Sequence, residues 1–162
     1  VQLRWCEAEK AHRPALQAFI CTDPPKLIYE PKRGRYHPQQ WEYDVQAAIH
    51  KLRVPRQLPE RVLLGFDGDV LRAVITYVLL DDCNQVFVHL IACDHSARGN
   101  GYAAEAYEAM FADLAELGWM GGYEVEGNVH PKNEASKRAF ARMGGQLVET
   151  IGGYEVWRLT RP

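Results

Sequence analysis

Cysteine is scarce: Cys6, Cys21, Cys83 and Cys93 are the only four in 162 residues, and no two form a C-x-x-C pair. An extracellular domain held by disulfides is denser in cysteine, so a reducing cytoplasm is the expected compartment. Long apolar runs are missing as well. The cleanest, Ala73 to Leu80, is far short of the ~20 residues that cross a bilayer, so no membrane partner is expected. No charged start leads into an apolar core and a small-residue cleavage site, which argues against a secretory leader. Charge surplus is absent too. Lys and Arg total 19 against 21 Asp and Glu, a net −2 without the basic excess that phosphate-neutralising nucleic-acid binders carry. Repeats and low-complexity tracts do not occur. With 47% apolar and 25% charged residues, the proportions are those of a globular chain, and the length fits a single domain over 1–162.

The distribution along the chain is less even. Residues 1–60 carry a balance of +3 and residues 61–162 a balance of −5. Pro24, Pro25, Pro31 and Pro38 break residues 22–39 into a segment that can be neither a regular helix nor a central strand. Before it, Val1 to Glu7 reads as a strand and Ala8 to Cys21 as a helix. After it, Pro38 to Leu52 places Trp41, Val45, Ala48, Ile49 and Leu52 on one helical side, a stripe that reads as core packing. Asp67-Gly68-Asp69 between two apolar runs is a hairpin signal joining Arg61–Phe66 to Val70–Leu80. Gln85–Cys93 follows as a strand, Gly101–Leu117 as a helix and Gly122–Val129 as a strand. Asn133–Met143 reads as a helix stopped by Gly144-Gly145, and a hairpin of Gln146–Ile151 with Tyr154–Thr160 closes the chain. The order predicts an α/β (α+β) fold: a mixed, mostly antiparallel sheet flanked by about four helices.

Chemistry concentrates in Ile91-Ala92-Cys93-Asp94-His95-Ser96-Ala97-Arg98-Gly99-Asn100-Gly101-Tyr102-Ala103. Here a buried strand enters a turn with two glycines, and a helix starts at once. Such a turn leaves backbone N–H groups that the helix cannot satisfy, with the helix dipole behind them, and so forms a seat for phosphate or diphosphate. No Lys-Ser or Lys-Thr follows the glycines, which excludes the GxxxxGK[ST] loop; Ala104 stands where GxGxxG needs its third glycine. Cys83, His89, Cys93 and His95 match no common zinc-finger spacing and fall mostly in one predicted strand, so no metal site is expected.

Arg98-Gly99-Asn100-Gly101-Tyr102-Ala103 resembles the Arg/Gln-x-x-Gly-x-Gly/Ala signature of the GNAT superfamily of N-acetyltransferases. Downstream, Asn133-Glu134-Ala135-Ser136 through Phe140-Ala141-Arg142-Met143-Gly144 resembles that family's second hallmark, an Asn-opened helix ending in an aromatic and a basic-x-Gly. The order of elements agrees with the family over nearly the whole chain; the long residues 22–39 depart from it. The resemblance implies acetyl-CoA or another acyl-CoA as co-substrate, with no metal. The pantetheine arm would pair with Ile91, Ala92 and Cys93, and the diphosphate would rest on the N–H groups of Arg98, Gly99, Asn100, Gly101, Tyr102 and Ala103. Asn133 and Ser136 would line the other side, with Phe140 in the aromatic position of the last helix. A backbone N–H near Cys93 would hold the thioester oxygen.

The implied reaction is attack by an amine, of a small molecule or a peptide, on the thioester carbonyl. Something must first deprotonate an alkyl ammonium whose pKa is about 10.4. Strict alternation puts Glu124, Glu126, Asn128 and His130 on one strand face, so Glu126 is the first candidate base and His89 the second. Many relatives use a Tyr to protonate the leaving thiolate; Phe140 has no such proton, and Tyr154 is the nearest substitute in sequence. That gap leaves open a catalytically weak acyl-CoA-binding or regulatory module of the same fold. A nucleotide-phosphate-binding protein outside the family is the other alternative. Dimers are common among relatives, so a homodimer fits. Residues 22–39, with Lys32-Arg33-Gly34-Arg35 and His37, are expected to form a lid over the acceptor.

Overall fold

The Asp-Gly signal is a tight hairpin: β4 (Glu60–Asp67) and β5 (Val70–Leu80) pair antiparallel with Asp67 opposite Val70. The computed structural model describes residues 2–162; Val1, where the predicted first strand opens, lies outside them. Around β4 and β5 grows a seven-stranded sheet in the order β1-β4-β5-β6-β7-β9-β8. Its other members are β1 (Arg4–Glu7), β6 (Gln85–Cys93), β7 (Tyr123–Val129), β8 (Gln146–Ile151) and β9 (Tyr154–Arg161). Every neighbouring pair is antiparallel except β6 with β7. The mixed sheet matches the expected class.

β5 is an interior strand, and its run of β-branched and aromatic residues from Val74 to Val78 reflects burial on both faces. On one face, Ile75, Tyr77, Val86, Val88 and Val125 pack under α3 (Tyr102–Glu116) and α4 (Glu134–Arg142) through Tyr107, Met110, Leu114 and Phe140. On the other, Val62, Leu64, Val74 and Ala92 pack under α1 (Arg13–Gln17) and α2 (Gln40–His50) through Leu16 and Ile49, with Phe19 just beyond α1. A bidentate ion pair fastens α3 to the sheet: Arg61 Nε and an outer nitrogen donate to the two Asp113 oxygens at 2.9 and 2.5 Å, and the Tyr77 hydroxyl donates to the same carboxylate.

The predicted helix over Ala8–Cys21 is shorter than expected. A 3₁₀ turn at Lys10–His12 leads into α1, which stops at Gln17. The residues beyond it bond to α2 instead of to their own helix: His50 Nε2 donates to the Phe19 carbonyl at 2.5 Å, and Cys21 N–H donates to Gln46 Oε1 at 2.8 Å. Inside the proline-rich segment, β2 (Ile28–Glu30) and β3 (Gly34–Tyr36) form a separate two-stranded hairpin. Its base is tied by His37 Nε2 donating to the Pro24 carbonyl at 2.7 Å and by Gln46 Nε2 donating to that of Pro25 at 2.8 Å. Its tip reaches solvent, where Tyr29 is 68% exposed.

Candidate active site

The sheet is forked at β6 and β7. These strands pair in parallel through four residue pairs, Gln85 with Glu124 to Val88 with Gly127, and then separate. The cause lies on the other edge of β6. Val88 pairs with Tyr77 and Leu90 with Thr76, so His89 is an extra residue, a bulge that bends β6 away from β7. Beyond it, Leu90 to Cys93 pair with β5 alone, while Asn128 and Val129 pair with β9 alone. Two facing strand edges line the gap.

The glycine turn sits at the outer end of the β6 arm. Asp94 shapes it: one carboxylate oxygen accepts from Ser96 N–H at 2.8 Å and from Ser96 Oγ at 2.7 Å, and the other from Arg72 at 3.0 Å. Asn100 Nδ2 donates back to the Ala97 carbonyl at 3.0 Å. From Arg98 to Ala104, no backbone N–H has an acceptor among the described residues; the first to find one is Glu105, which donates to Gly101. Gly99 and Gly101 take φ values of +85° and +75°, and a Cβ at either would meet open space. An exposed run of donors at the mouth of a fifteen-residue helix has the chemistry of a diphosphate seat. Tyr102 contributes only its N–H, because its ring is buried against Leu3, Ala73 and Ala97.

Arg98 does not point into this seat. Its guanidinium donates to the Cys21 carbonyl at 2.7 Å and pairs with Glu42 of α2. Across the fork, Asn133 Oδ1 caps α4 by accepting from Ser136 N–H at 3.1 Å, and Ser136 is half-buried beside it. Phe140, expected among the cofactor contacts, is a core residue, 1% exposed between the rings of Tyr107 and Trp157. Ile91 and Cys93 are half-buried, and Ala92 packs under α1 and α2. Burial pushes the Cys93 thiol up to about 11, as it does that of Cys21.

The polar strand face is as alternation foretold: Glu124, Glu126, Asn128 and His130 turn away from the core that holds Tyr123, Val125 and Val129. Glu126 is heavily engaged. It accepts from Gln85 Nε2 at 2.5 Å and from Arg158 at 3.3 Å, while Arg158 also lies 3.4 Å from Glu124. His89 is exposed at the fork, its ring edge-on to Phe87 at 5.1 Å, with no hydrogen-bond partner among the described residues. Tyr154 opens β9 across the fork from β6, its ring 5.9 Å from and edge-on to that of His130. Sequence reasoning missed Trp41. Val45 and Ile49 of its stripe do pack inward, but Trp41 stacks flat on His130 at 5.0 Å and 9°. Nothing in the sequence marked the Glu42–Arg98 or Glu126–Arg158 pairs, which join residues 56 and 32 positions apart. The zinc alternative fails on distance: Cys83 lies in the turn before β6 and Cys93 is the last residue of that strand, more than about 20 Å away. Among the described residues no three His, Cys, Asp or Glu side chains gather as metal ligands.

The family described as acetyltransferase (GNAT) domain matches residues 3–146. No curated protein matches in sequence. In fold, the chain is similar over its whole length to the PaiA N-acetyltransferase of Thermoplasma acidophilum in complex with coenzyme A, at a TM-score of 0.72 and 12% identity, covering 100% of both chains. An acetyltransferase from Thermus thermophilus aligns at 0.68 and 18% identity, over 98% of this chain and 97% of that one. The ribosomal-protein-S18-alanine N-acetyltransferase of Escherichia coli aligns at 0.64 and 14% identity, over 96% and 92%.

Proposed function

The chain belongs to the GNAT acetyltransferase family, and on that premise we propose that it transfers an acetyl group from acetyl-CoA to a primary amine. The observation that carries this reading is the fork with a run of unpaired N–H groups at its outer end. An anion fits there, because the glycine turn leaves open space where side chains would stand. Arg98 to Ala104 would hold the diphosphate through their N–H groups. The free edge of β6 would pair with the pantetheine arm as an added strand. Bound there, acetyl-CoA supplies the activated acyl group.

The direction of the arm follows. Cys93 adjoins the diphosphate seat and lies about 16 Å along β6 from the fork's apex at Val88. The thioester end would therefore reach the bulge. We assign the oxyanion donor to a backbone N–H at His89 to Ile91, in place of one near Cys93. The same geometry reorders the two bases. His89 is free at the apex, whereas Glu126 is held by Gln85 and Arg158 one residue pair below it. His89 removes the ammonium proton, the amine nitrogen bonds to the carbonyl carbon, and the carbon–sulfur bond breaks. The second proton of the bonded nitrogen passes through water to the departing thiolate, since Phe140 offers none.

That last feature favours a second reading, an acyl-CoA-binding module with weak turnover. Calorimetric titration with CoA, beside thiol release from acetyl-CoA across a panel of amines, tests both. Saturable binding with thiol release supports transfer, and binding without release supports the module. Gly101→Glu should weaken CoA binding by about a hundredfold, ~2.8 kcal/mol, because it fills and charges the seat and strains a residue at φ +75°. Retained affinity refutes the assignment of the seat.

A further inference from the structure

Two consecutive residues of α2 touch both arms of the fork. Trp41 lies flat on His130, which follows directly on β7. Glu42 pairs with Arg98, which follows β6. One helical turn later, Gln46 accepts from Cys21 N–H at 2.8 Å and from Thr22 N–H at 3.2 Å, fixing the segment where the β2–β3 hairpin begins. Arg98 reaches this segment too, through the Cys21 carbonyl. The first turn of α2 thus bridges a gap that the sheet leaves without rungs.

We infer that Trp41 and Glu42 form a cross-tie that sets the width of the fork, and that Arg98 is a positioning residue for this tie and not a ligand of the diphosphate. The inference rests on the functional reading above for what occupies the fork, but the tie itself stands on contacts within the chain. Two observations support it. The Glu42 side chain is only 12% exposed, and Arg98 is its one cationic partner among the described residues. Removing Arg98 strands a carboxylate that water reaches poorly, whereas the Arg98 side chain itself is 49% exposed. Arg98 also has a second protein acceptor, so its guanidinium is anchored from two directions before any ligand arrives. A phosphate ligand needs its donors aimed into the seat; here the backbone of Arg98 faces the seat while its side chain faces α2.

The tie has a consequence for the acceptor. Trp41, His130 and Tyr154 form an aromatic wall beyond the apex, on the strand face that carries Glu126 and Arg158. A fork held at fixed width keeps that wall at a fixed distance from His89, so the amine meets the thioester in a narrow range of orientations. Loosening the tie should raise the acceptor KM and free the hairpin.

Comparison of Arg98→Ala, Glu42→Gln and the exchanged pair Arg98→Glu with Glu42→Arg decides the matter. CoA affinity is read by calorimetry on the full chain, and hairpin opening by the rate of tryptic cleavage at Lys32 and Arg33. If the tie exists, both single variants behave alike: cleavage quickens several-fold, CoA affinity changes equally in the two, and the exchanged pair returns both readouts toward the parent. If Arg98 is instead a phosphate ligand, Arg98→Ala alone loses tenfold or more in CoA affinity, Glu42→Gln keeps it, and the exchanged pair is worse than either; that result overturns the inference. Unchanged cleavage in Glu42→Gln, a mild substitution, overturns it as well. Failure of the parent chain to bind CoA strikes the functional reading alone, and the tryptic comparison still decides the tie.

Discussion

Phe140 stands directly against Gly127 at the last rung of the fork: a Cβ on that glycine would come within 3.1 Å of the ring's Cζ. The fit explains why position 127 carries no side chain on a strand otherwise buried on this face. It also bears on the missing acid. A hydroxyl on Cζ would be crowded into the small space that Gly127 leaves by lacking a Cβ. Phe140→Tyr is therefore expected to cost about 1–3 kcal/mol through overpacking and a poorly partnered hydroxyl. Thiol release should not quicken. Chemical denaturation and an initial-rate assay measure the two effects, and a faster turnover would show that the ring reaches the leaving sulfur after all.

His89→Gln is expected to lower kcat by roughly 10²–10⁴, with CoA affinity retained. Glu126→Gln should lower kcat far less, because its carboxylate is already bound by Gln85 and Arg158. Steady-state kinetics with calorimetric CoA titration separates them. The reverse ranking would return the base to Glu126.

Asp113 ties Arg61 and Tyr77 together in a site where both ionic side chains are about nine-tenths covered. Asp113→Asn breaks a partly buried pair, with Glu7 still 2.9 Å from Arg61, and should destabilise the chain by no more than about 3 kcal/mol. Urea denaturation at pH 7 gives the figure.

The same cluster sets an alkaline limit. Burial and the Asp113 hydrogen bond push the Tyr77 hydroxyl well above its ordinary value of 10.0, and burial does the same for Tyr107. A raised native pKa stabilises fully below the unfolded value and loses its contribution as pH climbs above it. Stability should hold up to about pH 10 and then fall by about 1.4 kcal/mol per pH unit for each such tyrosine. Tyr77→Phe should remove one of the two contributions and flatten the decline. An unaltered slope above pH 10 would count against it.

Cysteine labelling offers a check on the strand edge. Cys83 is exposed beyond β5, whereas burial raises the thiols of Cys21 and Cys93 to about 11. Iodoacetamide at pH 8 should modify Cys83 first and leave Cys21 and Cys93 largely intact, as peptide mass mapping would show. Early loss of Cys93 would mean that the outer part of β6 opens.

Much of this architecture is legible because it rests on local rules. Asp67-Gly68 announces the hairpin, the apolar run of β5 announces a buried strand, and Gly99 and Gly101 before an alanine-rich helix announce a turn with unpaired N–H groups. Alternation places Glu126 and His130 on one face correctly. Long-range partners leave no trace. Glu126 reads as a free base because neither Gln85 nor Arg158 is near it in sequence, and Trp41 reads as core because its helical spacing matches that of Ile49. The helix after Pro14 ends earlier than its spacing suggests for a similar reason: Gln46 and His50 take the backbone groups of residues 19–21. The bulge at His89 depends on the register with β5, which no spacing within β6 encodes.

The junction between β6 and β7 also governs cohesion. Four residue pairs join a slab of four strands to a slab of three, so the backbone ladder of the sheet is thinnest along this line. A guest lying along that line would stitch the slabs together with the very groups that orient it. Occupancy and mechanical integrity would then rise together, and the chain would be most yielding when it has nothing to transfer.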